Sequence, residues 1–122
     1  MAARINSYRD LLVWQQAMDL AVEIYRVTRA WPKEELYGLA SQVRRAASSV
    51  PANIAEGFGR ESRASYQQFL RIAQGSLKET ETHLLIAQRV GLAGDDMVQP
   101  LLVMCESIGK LLRLLIRKLS ET

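Results

Sequence analysis

Apolar residues recur along the chain at spacings of three and four, the signature of helices that each bury one face. From about residue 10 to residue 30, Val13, Ala17, Leu20, Ile24 and Val27 form one apolar line that Trp31 extends. Trp14, Met18, Ala21 and Tyr25 form a second line beside it. The combined arc is wider than a surface helix needs, so this helix is expected to touch more than one neighbour. Pro32 interrupts, and Glu34 and Glu35 then favour the dipole in the first turn of a second helix, expected over about 34–57. Leu36, Leu39, Val43, Ala47, Val50 and Ile54 supply its core edge, and Gly57 is the expected stop because it takes left-handed angles freely. Pro51 falls inside, removes one backbone hydrogen bond and crowds the carbonyl four residues back, so a kink is expected near it.

A third helix is expected over about 62–90, opened by Ser62 and closed before Gly91. Its seam is Tyr66, Phe69, Leu70, Ala73, Leu77, Thr80, Leu84 and Ala87. A fourth, over about 96–119, is expected to start on Asp95 or Asp96 as cap and tolerates Pro100 near its first turn. Leu101, Met104, Ile108, Leu111, Leu115 and Leu119 make its core stripe, which Leu102, Leu112, Leu114 and Ile116 broaden. No strand pattern competes. Short connections force neighbours antiparallel, so the expected fold is all-α: one domain over residues 1–122, an up-down-up-down four-helix bundle with its second helix kinked. Surplus apolar width on the outer helices argues for self-association.

Beside the core edge of the second helix runs a polar stripe: Gln42, Arg45, Ser49, Asn53 and Glu56, at intervals of three, four, four and three. A solvated helix puts its polar arc opposite its core, so groups flanking the core edge are expected to pair with one another or across an interface. Ser76 and Glu79, on one face of the third helix, are their natural partners. An acid/base reading of Arg45, Glu56 and Glu79 is the weaker one, because no second polar cluster accompanies them.

Composition narrows the rest. At 122 residues and 48% hydrophobic the chain suits a soluble domain, with no membrane-length apolar run and no signal-peptide pattern. The single cysteine, Cys105, excludes an internal disulfide and fits a cytoplasmic location. With one histidine, His83, neither a zinc site nor a di-iron site can be assembled, and no cofactor is expected. Gly57 and Gly59 lack the strand and the Gly-Lys-Ser/Thr of a phosphate loop. No residue is nominated as catalytic, and the chain is expected not to be an enzyme. The net charge of +3 is matched by residues 107–122 alone, where Lys110, Arg113, Arg117 and Lys118 face only Glu121. Those cations are the candidate nucleic-acid contacts, with Arg4, Arg9, Arg60, Arg63 and Arg71 as auxiliaries.

The succession LxVWQxAMDL, WPKEELYGLASQVRRAASSVPANIAEGFGRES and FLRIAQGSLKETETHL resembles the four-helix-bundle proteins encoded in intervening sequences of bacterial 23S ribosomal RNA genes. The likeness spans about residues 7–119, with Trp14, Gln15, Pro32, Glu35, Gln42, Arg44, Arg45, Asn53, Glu56, Gly57, Ser76 and Glu79 at motif positions. That family is similar to the accessory proteins of diversity-generating retroelements, five-subunit barrels thought to bind nucleic acid beside a reverse transcriptase. The resemblance therefore implies a non-enzymatic homopentamer whose partners are RNA or single-stranded DNA, or a protein such as a reverse transcriptase. A protein-interaction scaffold without direct nucleic-acid contact is the alternative.

Overall fold

Periodicity becomes helix wherever a cap or a turn lets the backbone begin and end one. The computed structural model describes residues 4–35 and 38–121. It holds four helices, α1 (Leu12–Thr28), α2 (Leu39–Phe58), α3 (Arg63–Arg89) and α4 (Asp95–Ser120), with 3-10 turns at Tyr8–Asp10 and Lys33–Glu35. No strand occurs among the described residues.

The ends follow from local chemistry. Ser7 accepts from the Arg9 amide at 3.1 Å while Asp10 accepts from the amides of Asn6 and Ser7, a capping box that sets the chain on course for α1. Glu34 and Glu35 belong to a 3-10 turn rather than to α2, which begins at Leu39, later than the 34 expected. Gly38 is the reason: its backbone, at φ −107° and ψ −119°, is not helical, and Glu35 reaches past it to accept from the Leu39 amide at 3.3 Å. Leu36 lies outside the described residues. Ser62 caps α3 by accepting from the Ser65 amide. At the other end Gly91 takes φ +83°, the Leu92 amide bonds Ala87 O and the Gly91 amide bonds Gln88 O. This is a Schellman closure, with half-buried Leu92 resting on the core. The cap of α4 is Gly94; Asp95 and Asp96 fall inside its first turn, and Asp95 accepts a hydrogen bond from Gln88 instead.

Each helix borders two others: α1 lies against α2 and α4, and α3 against α2 and α4. Val13, Ala17, Leu20 and Ile24 of α1 are buried, as are Leu70, Ala73, Leu77, Thr80, Leu84 and Ala87 of α3. Thr80 survives there because its hydroxyl donates to Ser76 O at 2.9 Å. On α4 the deepest line is Val98, Leu101, Cys105, Ile108 and Leu112, so Met104, Leu111, Leu115 and Leu119 sit at its margin rather than its centre. A helix apolar on so wide an arc offers more than one stripe of the same period, and its neighbours choose the stripe.

Gly57 differs most from its expected part. It does not end α2, which runs to Phe58 with Gly59 as its cap in ordinary right-handed conformation. Gly57 is buried, and a Cβ there would lie 2.9 Å from Phe69 Cβ and 3.2 Å from Tyr66 O. Its missing side chain lets α2 and α3 come together. Gly75, by contrast, is exposed in mid-α3 with open space where its Cβ would be. Gly57→Ala should cost about 1–3 kcal/mol by overpacking, whereas Gly75→Ala should add about 0.5–1 kcal/mol by stiffening an exposed helix. Urea unfolding of the two variants checks the contrast, and a Gly57→Ala variant as stable as the parent would refute the close-approach account.

Candidate functional site

The polar stripe on α2 meets α3 at one point. Ser49 Oγ and Ser76 Oγ lie 2.8 Å apart, and the Asn53 amide donates to both the carbonyl and the hydroxyl of Ser49 at 2.8 Å. Ser49, Asn53 and Ser76 are half-buried, so this small cluster closes the polar atoms that the helix contact takes from water. The other nominated residues go elsewhere. Glu56 is exposed and pairs at 2.9 Å with Arg60, four residues along and just past the end of α2. Glu79 lies 3.6 Å from His83, likewise within one helix. Gln42 and Arg45 are exposed and make no side-chain hydrogen bond among the described residues. Two of the five stripe residues, Ser49 and Asn53, are thus brought together with one of their two expected partners, Ser76, and Arg45, Glu56 and Glu79 form no shared acid/base centre among the described residues.

Lys110, Arg113, Arg117 and Lys118 are all exposed. Lys110 is 3.5 Å from Glu106, a solvated pair of little strength. Arg113 folds back over Gly109, its guanidinium 3.6 Å from where a Cβ would stand. Helical spacing puts Val103 and Leu114, 64% and 56% exposed, on the stripe that includes Lys110 and Arg117, so the cationic face is also greasy. Lys118 instead borders a groove of about 570 Å³ at the end of the bundle, beside Arg63, Phe58 and Tyr66. There Arg63 donates to Glu121 O at 2.9 Å, and burial pushes the Tyr66 phenol up. Of the auxiliary cations, Arg60 lies over the Phe69 ring at 4.5 Å and Arg9 over Tyr8 at 5.7 Å, while Arg4 and Arg71 are exposed.

Elsewhere the chemistry is quiet. Cys105 is fully buried, and that burial, with Glu81 nearby, pushes its thiol up to about 12, so it is protonated and inert near neutrality. Among the described residues His83 Nδ1 is buried without a hydrogen-bond partner, a cost rather than a tool. No three His, Cys, Asp or Glu side chains gather to hold a metal ion among the described residues, and no described helix is long and apolar enough to cross a membrane. Between α1 and α2 opens an apolar groove of about 520 Å³, walled by Trp14, Met18, Val22, Tyr25, Pro51 and Ala55. Met18, Val22 and Tyr25 remain 37%, 52% and 44% exposed, so the second apolar line of α1 is only half covered within the chain.

One arrangement has no counterpart among the nominated residues. Arg44 Nε donates to Thr28 Oγ1 at 2.8 Å, and its guanidinium sits 4.9 Å from the Tyr25 ring. Tyr25 looks like core from its apolar line; the only hint to the contrary is an arginine one turn inside the helix that follows the Trp31–Pro32 corner.

Comparison with known proteins places this geometry. Residues 9–114 match the family model described as 23S rRNA-intervening sequence protein. Among solved structures, a protein of unknown function from the S23 ribosomal protein family of Bacteroides thetaiotaomicron is similar at 26% identity and a TM-score of 0.78. The alignment covers 86% of this chain and 98% of that one. No curated protein matches.

The contrast between the buried and exposed ends of the polar stripe is measurable. Asn53→Ala strips Ser49 of its partner at a half-buried contact and should cost about 1–2 kcal/mol. Glu56→Ala removes only an exposed ion pair and should stay within about 0.5 kcal/mol of the parent. Equal losses in thermal or urea unfolding would mean that Glu56 shares the network after all.

Proposed function

The chain belongs to the 23S rRNA-intervening sequence protein family, and from that membership we propose a non-enzymatic, oligomeric helical-bundle adaptor that contacts nucleic acid through a basic outer surface. The observation that supports it most is the α4 face, where Lys110, Arg113 and Arg117 stand in solvent with a single weak carboxylate partner between them. Charge left unneutralised on one helical face suits a phosphate backbone and reads no sequence. Structured RNA or single-stranded DNA is the partner class, in keeping with a family named for ribosomal RNA intervening sequences.

The finer parts of this reading concern shape and assembly. The helices run antiparallel, up-down-up-down: Arg44 near the start of α2 reaches Thr28 at the end of α1, and Arg63 at the start of α3 reaches Glu121 past the end of α4. α2 bends at Pro51, which has no amide to offer the carbonyl four residues back. Identical copies close into a ring, a homopentamer like the five-subunit retroelement accessory proteins, using apolar surface such as Met18, Val22 and Leu114. The ring works in the cytoplasm, without a cofactor, beside a protein partner such as a reverse transcriptase. Repetition of the α4 face around it turns a weak patch into a useful field.

The groove between α1 and α2 favours a second reading, a scaffold that holds another polypeptide and touches no nucleic acid. One titration separates the two. Binding to a structured RNA and to single-stranded DNA should weaken steeply with salt, and replacing Lys110, Arg113 and Arg117 with Ser should flatten the log–log slope by about three. Undetectable affinity at low salt, or an unchanged slope in the variant, would remove the nucleic-acid reading and leave the scaffold. Native mass spectrometry counts the subunits; a stable monomer at micromolar concentration would remove the ring.

A further inference from the structure

A second cationic site lies away from α4, at the corner where α1 gives way to α2. A pocket of about 240 Å³ opens there, lined by Thr28, Arg29, Trp31, Lys33, Ala40 and Arg44 around the Pro32 turn. Three of those side chains are cations. The ion pairs of the described chain engage Arg26, Arg60, Lys78, His83 and Lys110, and none of them involves Arg29, Lys33 or Arg44. Glu35, the carboxylate nearest in sequence to Lys33 after Glu34, is occupied in accepting from the Leu39 amide, and neither glutamate lines the pocket.

Arg44 is held in place before anything binds. Its Nε is spent on Thr28 Oγ1 at 2.8 Å, and Thr28, only 4% exposed, donates its own hydroxyl proton to Ile24 O at 2.7 Å. The Tyr25 ring supports the guanidinium at 4.9 Å. Fixing Nε and the ring contact leaves the paired Nη groups as a preset fork, the geometry that matches two oxygens of a tetrahedral oxyanion. Arg29 and Lys33 are exposed and free in rotamer, able to close on the remaining oxygens as point charges. Buried Trp31 and Ala40 give the pocket an apolar wall.

From this geometry we propose that the α1–α2 corner is a binding site for a phosphate monoester, with Arg44 as its anchor and Arg29 and Lys33 as its flanking cations. Three cations outside the ion pairs of the described residues suit the near-dianionic charge that a monoester carries at neutral pH better than a singly charged diester. The volume lies below the ~300 Å³ at which drug-sized pockets begin, so the site takes the phosphoryl group and a small portion of what bears it. That phosphoryl group belongs either to a free phosphorylated metabolite or to the 5′ end of a nucleic-acid strand. The site stands apart from the α4 face, and its test does not depend on the nucleic-acid reading.

Inorganic phosphate, AMP, and one short oligonucleotide with and without a 5′-phosphate are titrated into the full chain, followed by amide chemical shifts. Phosphate and AMP should move the amides of Thr28, Arg29, Lys33, Ala40 and Arg44, where potassium chloride at equal ionic strength does not. Arg44→Gln should weaken AMP at least about tenfold, the loss of one bidentate charged contact. Thr28→Val keeps every cation but frees Nε, and should weaken AMP by a smaller factor; the α4 triple Ser variant should leave AMP binding unchanged. A gain from the 5′-phosphate of the oligonucleotide above that of AMP assigns the site to strand ends, and tighter AMP assigns it to metabolites. Should Arg44→Gln fail to fold, the exposed pair Arg29→Ser and Lys33→Ser replaces it, with the same tenfold loss expected. Shifts reproduced by chloride, or AMP affinity indifferent to a folded variant of either kind, would overturn the proposal.

Discussion

The close contact of α2 with α3 is the constraint on which the rest of the structure rests. Gly57 gives up its side chain there, and small residues continue the line inward: Ala46 and Ala47 on α2, Ala73 on α3, with Ser49 and Ser76 sharing a hydrogen bond between them. Two backbones that approach this closely gain dispersion contacts along their length and leave no room for bulky groups. Bulk lies beside that line, where Ile54 of α2 and Leu70, Leu77 and Leu84 of α3 share the core with Leu20, Ile24, Ile108 and Leu112 of α1 and α4. Met18 and Val22 of α1 and Val103 and Leu114 of α4 face outward, as do Ile72, Leu85 and Ile86 of α3. A close α2–α3 contact and a core filled from all four helices are two sides of one packing solution.

Much of this was legible in the amino-acid pattern, for a physical reason. The seam Leu70–Ala73–Leu77–Leu84 of α3 can be buried without burying charge and its period identifies it, as it does the line Val13–Ala17–Leu20–Ile24 of α1, beside which a second apolar line runs. Where two stripes compete, as on α4, the choice belongs to the neighbours, and Cys105 and Leu112 displace Met104 and Leu111 from the centre. Glycine reads as punctuation because its backbone freedom is its commonest use. Gly91 acts that way, at φ +83°, but Gly57 serves by absence of volume, which only a partner helix can reveal. The polar stripe was legible as a line and not as a network. Spacing cannot tell that Glu56 and Glu79 find their partners four residues along the chain, Arg60 just past the end of α2 and His83 within α3.

That local pairing bears on what the molecule can do. Short-range pairs such as Glu23 with Arg26 and Lys78 with Glu81 neutralise charge locally, each worth little on its own. Among the cations outside those pairs, two sets are gathered in space: a solvated one on α4 and a corner one around Arg44. The two differ in kind. Arg113 and Arg117 are long, exposed side chains that must lose rotamer freedom to bind anything, which suits many weak contacts multiplied by repetition. Arg44 has already lost that freedom to Thr28 and Tyr25, which suits a single well-oriented one.

The order held by Arg44 also ties the corner to the bundle. Thr28 is the last residue of α1, and its hydroxyl both closes onto Ile24 O and receives the first arginine of α2. The Trp31–Pro32 turn is pinned between them, with Trp31 buried in the core. An anion seated against Arg44 would thus press on the joint that sets the angle between α1 and α2, and the apolar groove lined by Trp14, Tyr25 and Pro51 opens along that same joint. Tyr25 serves both: its ring supports the guanidinium and also walls the groove. The charged corner and the greasy groove thus adjoin, with Tyr25 between them and Arg29 bordering both, so the cationic and apolar surfaces of this edge are built from the same few side chains.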